Sequence, residues 1–409
     1  MEKKQIIIRA RKLYDGKTTS NNKSIIIENN KITEVTEKSY KSDFSGIVTP
    51  AFIDAHSHIG MERQGEPHQE GEANDFIDQF LPLLNPINSV YFDDRGLTEA
   101  VDFGVLYSCI VPGSGNIFGG RAMVIKNFAR HRNEALVKDY GFKMALGYNP
   151  RSTTDWKGHR PSTRMGVYRL LEEKFDNILD KEAKALLKKE KALSELKDKT
   201  EKDKLNKETE KKHIQWINRE YENELSMEER TVLDLLRGNK TAKVHVHKED
   251  DIYYLIDLKN KYGINVTADH TCDVFHQEVY DALADNDIPV VFGPIGALDY
   301  KVELKHAYYH NTRLLMRSKA FFGLMTDHPV ILTPHLRESL KYFLIQGMSE
   351  AEAISLITLK NARILGIDNE LGSIENDKLA SIIVWNTDPL HLKAFPKTVI
   401  AEGKVIRKN

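Results

Sequence analysis

Both ends of the chain carry short β-branched runs broken by turn residues, and the middle carries longer apolar runs separated by helical patterns. At the start, Ile6–Ile8, Ser24–Glu28 and Lys31–Val35 read as strands, with turns at Tyr14-Asp15-Gly16 and Asn29-Asn30. At the end, Ser381–Trp385, Thr398–Ile400 and Val405-Ile406 have the same texture, with a turn at Glu402-Gly403. Such strands need partners to bury an apolar face. The two ends, residues 1–48 and 368–409, are therefore expected to assemble one small β-sandwich.

In the middle, eight runs read as strands: Thr49–His58, Val105–Val111, Ala122–Lys126, Phe142–Gly147, Ala242–His247, Asn265–His270, Pro289–Gly293 and Phe321–Asp327. Helical patterns such as Asp250–Tyr262 and Asp273–Asp285 separate several of them. About eight β/α units across residues 49–367 is the number a closed barrel needs. The expected fold class is α/β, a distorted (β/α)8 TIM barrel with the small β-sandwich formed by both termini. A charged stretch at about 165–239 is far longer than an ordinary αβ connection. Within it, Lys181–His213 mixes Lys and Glu, with Leu186, Leu193 and Leu196 at helical spacing. That pattern predicts a solvated helical hairpin.

Charge narrows the partners. Lys and Arg number 59 against 60 Asp and Glu, which gives no electrostatic case for nucleic acid or a membrane surface. The two cysteines, Cys109 and Cys272, form no Cys-x-x-Cys spacing, which argues against a disulfide framework and fits a reducing cytoplasm. No run approaches the roughly 18 apolar residues of a membrane span. The expected partner is a small-molecule substrate. Oligomeric state stays open, a homo-oligomer included.

Candidate chemistry gathers at strand ends. His56 and His58 sit at i and i+2, so a strand aims both imidazoles to one side. Alone, such a pair is a weak motif. His245 and His247 end the fifth run, His270 the sixth and Asp327 the eighth, and side chains at strand C-termini converge on a barrel mouth. Several imidazoles with one carboxylate suit a divalent ion, Zn²⁺ first, with Mn²⁺, Fe²⁺ or Co²⁺ as alternatives. His245 is favoured over His247 as the ligand, and His247 is assigned to the substrate side. His270 taken alone also fits a hydrogen-bonded core histidine, and Asp327 also fits a helix cap. Lys143 stands in an apolar strand, where a bare ammonium is costly to bury. It either pairs or snorkels, or it forms a carbamate, an anionic ligand able to bridge two ions. Arg164 suits a carboxylate-bearing substrate, although Ser162 or Thr163 beside it reads equally as a helix cap.

Pro50-Ala51-Phe52-Ile53-Asp54-Ala55-His56-Ser57-His58 resembles the Pro-Gly-Phe/Leu-Ile-Asp-x-His-x-His opening of the amidohydrolase superfamily, in its imidazolonepropionase-like branch. Thr358–Gly366 is similar to that family's C-terminal signature. Ala51 replaces the usual glycine, and Asn376–Ser381 departs from the usual Gly-Lys-x-Ala-Asp-Leu run, both in turns. The resemblance covers nearly all of the chain outside the charged insert. It implies a barrel with a terminal β-sandwich and His56, His58, His245 and His270 as metal ligands. It also implies that Asp327 binds metal and shuttles protons. One or two ions are allowed, depending on Lys143 and its carboxylation. The implied reaction is hydrolysis of a C–N bond outside linear peptides, in an amide or cyclic amide, with Asp327 and His270 catalytic. Deamination, with Glu249 as the candidate residue, dipeptide hydrolysis and a non-catalytic scaffold are the alternatives.

Overall fold

A computed structural model describes residues 5–203, 206–297 and 301–409. Two sheets organise it. The first has seven strands: β1 (Gln5–Tyr14), β2 (Thr19–Glu28), β3 (Lys31–Thr36), β4 (Phe44–Pro50), β13 (Ile382–Trp385), β14 (Pro396–Ala401) and β15 (Lys404–Lys408). Their order, β15-β14-β13-β4-β1-β2-β3, weaves the chain's end against its beginning. Alternation drives it: Ile6, Ile8 and Ala10 of β1 are buried and pack with Ile25, Ile27, Val48, Ile382 and Val384 in a core of their own.

The second sheet has eight strands in sequence order, from β5 (Phe52–Ser57) and β6 (Val105–Ile110) through β7 (Phe118–Lys126), β8 (Leu136–Ala145) and β9 (Thr241–Val246) to β10 (Asn265–His270), β11 (Val290–Phe292) and β12 (Phe322–Leu324). A single residue carries the chain between sheets. Ala51 donates its N–H to Ser381 O of the terminal sheet, and the next N–H, of Phe52, goes to Gly104 O beside β6. Together they form the expected distorted barrel beside its β-sandwich.

The distortion has a definite place. β7 runs antiparallel to both β6 and β8, whereas the remaining pairs are parallel. The expectation of β/α units throughout is thus corrected here. Residues 111–117 and 127–135 are shorter than the dozen or so residues a parallel crossover needs.

Asn361 closes the barrel. Its Nδ2 donates to Ile53 O on β5 (2.6 Å) and Leu324 O on β12 (2.8 Å), and its Oδ1 accepts from Leu324 N (3.0 Å). One fully buried amide therefore satisfies three backbone groups where first and last strands meet.

The charged excursion is helical, but its first part belongs to the barrel. In the helix Arg164–Asp203, Val167, Leu171, Phe175 and Ile178 recur every three or four residues and join the main core. The protruding hairpin comprises the later turns and the antiparallel helix Lys207–Glu224, tied by the ion pair Lys188–Glu224 at 2.8 Å, while Lys181 pairs with Glu229 of the next helix, also at 2.8 Å. Met227–Leu236 returns the chain to the core through Val232, Leu233, Leu235 and Leu236. Between β9 and β10, Glu249–Tyr262 begins with three acids and ends with Lys259 and Lys261, matching the helix dipole. Gly263, at φ 65°, then stops it in the left-handed region. Among the described residues no helix is long and apolar enough to cross a membrane.

Candidate metal centre

His56 near the end of β5 and His58 just past it lie side by side, their rings 5.5 Å apart. Each ring is held by its Nδ1. His56 Nδ1 lies 2.6 Å from Asp269 Oδ2, and His58 Nδ1 lies 2.7 Å from Val111 O. Both Nε2 atoms consequently face Asp327 Oδ1, at 3.5 Å and 3.2 Å. His56, His58 and Asp327 form one group of metal-capable donors, and His245, His247 and His270 form a second. The two groups adjoin. The His56 and His270 rings lie 5.0 Å apart, and His270 Nδ1 is 3.9 Å from Asp327 Oδ2.

Backbone strain concentrates at the same place. His270, Thr271 and Asp327 have φ of 80°, 52° and 52°, a region that side-chain-bearing residues seldom occupy. Such conformations cost of order 1–3 kcal/mol each and persist where surrounding structure enforces them. Asp54, beneath the site, does part of this. It accepts hydrogen bonds from His56 N (3.3 Å), Thr326 N (3.1 Å) and the Thr326 hydroxyl.

The electrostatics favour neutral imidazoles. Burial, followed by Lys143, pushes His56 down to about 3. Burial, then Lys301 and neighbouring histidines, holds His245 well below its ordinary value, and burial with Lys301 and Lys143 does the same for His247. For His270 the causes are burial and the adjacent histidines. Burial raises Asp327, but His58, His56 and Lys143 outweigh it and keep the carboxylate ionised. Lys143 is fully buried with Nζ 3.2 Å from His56 Nε2, and burial lowers it to about 8.

These residues fit a divalent ion. Among the described residues, His245 Nδ1, His247 Nδ1 and His270 Nε2 are buried ring nitrogens without a hydrogen-bond partner, a costly arrangement unless something binds there. Neutral imidazoles beside an ionised carboxylate form a donor set that divalent zinc-like ions take.

A cavity opens from this centre. His245, His247, Asp327, Asn149 and Lys301 line one side, and Phe292, Pro294, Ile295, Leu304, Tyr308 and Tyr309 make a largely apolar wall. Lys301 Nζ contacts Glu303 Oε1 (2.8 Å), Asn149 Oδ1 (3.0 Å) and His245 Nε2 (3.5 Å). His56, His58, Lys143, His245, His247, His270 and Asp327 are thus brought together. Arg164 is not among the residues lining the cavity. Its guanidinium pairs with Asp250 at 3.1 Å and Asp251 at 3.7 Å at the start of the long helix.

Sequence reasoning missed Lys301, Glu303, Asn149, Lys243 and Asp269. Asn149 and Glu303 lie in single helical turns and Lys301 just before one, too short to carry a periodicity. Lys243 carried the signal that singled out Lys143, a bare lysine inside an apolar strand. Asp269 precedes His270 directly.

Comparison with known proteins agrees with this geometry. The model of the amidohydrolase family matches residues 200–406, a span that contains His245, His247, His270 and Asp327. Amidohydrolase tasK of Hapsidospora irregularis is 24% identical over 396 residues, 91% of this chain, and the chain spans 37% of that relative's length. A solved amidohydrolase from Thermotoga maritima MSB8 is 26% identical with a TM-score of 0.84, covering 99% of this chain and 100% of that one. A Xaa-Pro dipeptidase crystallised with methionine in its active site shares the fold at 16% identity and a TM-score of 0.56, covering 98% and 99% of the two chains.

Proposed function

Because this chain belongs to the amidohydrolase family, we propose that it is a metal-dependent hydrolase of a C–N bond in a small amide or cyclic amide. The observation that carries this reading is the junction of two donor groups, His56/His58/Asp327 and His245/His247/His270, at one barrel mouth. His56, His58, His245 and His270 would hold one or two divalent ions with Asp327, Zn²⁺ being favoured by the imidazole-rich set. When bound, such an ion supplies Lewis acidity and brings the pKa of water from about 15.7 towards 7.

Asp327 is ionised and reaches both donor groups, which supports a role in which it would accept the proton of the attacking water and pass it to the leaving nitrogen. His270, beside it, would take part by holding the ion through Nε2, since its Nδ1 already meets Gly293 O at 3.1 Å. His247 lines the cavity and would contact substrate. The Arg164 assignment is weaker, since that guanidinium is already paired with Asp250 and Asp251. Lys143, next to His56 Nε2 and lowered towards neutrality, would bridge two ions as its carbamate. The apolar wall suits a substrate with a hydrocarbon or aromatic substituent.

Deamination loses its candidate residue. Glu249 Oε1 accepts from Phe275 N and His276 N, both 2.9 Å, and Oε2 meets His276 Nδ1 at 2.9 Å, so the carboxylate is committed to a loop. Dipeptide hydrolysis remains the second reading. The test is metal analysis of purified protein with a panel of cyclic amides, N-acyl amino acids and dipeptides. Metal-dependent turnover lost in Asp327→Asn supports the proposal, and turnover untouched by chelation or by that substitution refutes it.

A further inference from the structure

Two lysines occupy matching positions on neighbouring barrel strands. Lys143 on β8 pairs in register with Lys243 on β9, and both are fully buried. They approach opposite edges of one imidazole. Lys143 Nζ lies 3.2 Å from His56 Nε2. On the other edge, His56 Nδ1 meets Asp269 Oδ2 at 2.6 Å, and Lys243 Nζ meets the same oxygen at 2.9 Å. The lysine contact is an ion pair whose angle does not suit a hydrogen bond. Thr267 Oγ1 donates to the other carboxylate oxygen at 2.6 Å, so Asp269 is gripped at both oxygens.

From this geometry we propose that Lys243 is a positioning residue which, through Asp269, fixes the His56 ring with Nε2 towards the metal. The inference rests on the metal-centre reading above. A buried ion pair adds little net stability compared with apolar packing of the same volume. Its effect here is directional. An anionic acceptor at Nδ1 keeps the imidazole proton on that nitrogen and leaves the Nε2 lone pair free to bind a cation. Without Lys243, Asp269 Oδ2 keeps, among the described residues, only the imidazole as partner, so on that side the carboxylate is anchored by nothing but the ring it orients. Partners of this kind, which orient a ligand without touching the ion, change metal affinity by roughly 10–100-fold when removed.

The test is a double-mutant cycle on the full chain. Zn²⁺ dissociation constants are measured by chelator competition for wild type, Lys243→Met, Asp269→Asn and the double variant, with circular dichroism to verify folding. We expect Lys243→Met to weaken Zn²⁺ binding by about 10–100-fold. In the Asp269→Asn background the same change should cost little more. Unchanged affinity in Lys243→Met, or independent additive losses, would overturn the proposal. Lys243→Gln, with similar length and no charge, replaces Lys243→Met if the latter does not fold.

A second readout needs no metal. In metal-free wild type, ¹⁵N NMR of the His56 ring should show a single tautomer protonated at Nδ1, and the Lys243 variant should show a mixture. A mixture in wild type, or no change in the variant, counts against the positioning role. Wild type that binds no Zn²⁺ but shows this contrast keeps the positioning role and removes the metal-centre reading.

Discussion

Asp327 Oδ1 lies 3.2 Å from His58 Nε2, so the residues that follow the last barrel strand and the first meet as two adjoining donors. Asp327 N also donates to His56 O (3.1 Å), and His58 N to His328 O (3.1 Å). Those backbone bonds register the two segments, and the side-chain geometry follows.

Asp327→Asn keeps the volume and the hydrogen-bonding shape but cannot carry the proton. The variant should fold normally and lose about 10²–10⁴-fold in kcat. Steady-state kinetics on any substrate found in the panel, beside a thermal melt, checks this.

Lys143 gives a pH signature. Only the neutral amine adds CO₂ to give a carbamate and a proton, and burial moves the amine's pKa down to about 8 from the ordinary lysine range. The amine fraction of metal-free protein therefore rises as pH climbs through about 8. With bicarbonate adjusted so that dissolved CO₂ is the same at both pH values, reconstitution with metal should run faster at pH 9 than at pH 7, and Lys143→Met should show no bicarbonate response. Reconstitution kinetics with and without bicarbonate decide it.

Asn361 should be a stability residue. Asn361→Ala leaves Leu324 N, Leu324 O and Ile53 O without their buried partner. The expected loss is roughly 2–4 kcal/mol, read as a lower urea midpoint at constant m-value.

The tip of the hairpin should be dispensable for turnover. Residues 192–220 lie beyond the Lys188–Glu224 contact, and that exposed pair contributes little stability. Replacing 192–220 by a short Gly/Ser turn should leave kcat/KM within about threefold of wild type. Loss of assembly with turnover kept would give the tip an interaction role, as a scaffold reading requires.

Much of this was legible from residue patterns because strands impose a period of two and their ends carry the chemistry. His56, His58, His245, His270 and Asp327 each close an apolar run, and the barrel then brings them together. Strand direction was not legible. Val105–Ile110 and Phe118–Lys126 are apolar runs that read alike whether parallel or antiparallel, and only the short connections betray the meander. Lys301 and Glu303 lie after β11 in a stretch of single turns, where spacing holds no information about direction. Val167, Leu171, Phe175 and Ile178 show a further limit. They are a barrel-facing stripe that charge-rich surroundings made look like the start of the insert.

The most direct measurement of the central claim is an anomalous difference map at the zinc edge, from crystals of protein supplied with Zn²⁺. The account predicts strong density between the Nε2 atoms of His56 and His58 and the Asp327 carboxylate. A second peak, bridged by density extending from Lys143 Nζ, should appear towards His245 and His270 if two ions bind. A map with zinc elsewhere, and nothing at this mouth, would contradict it.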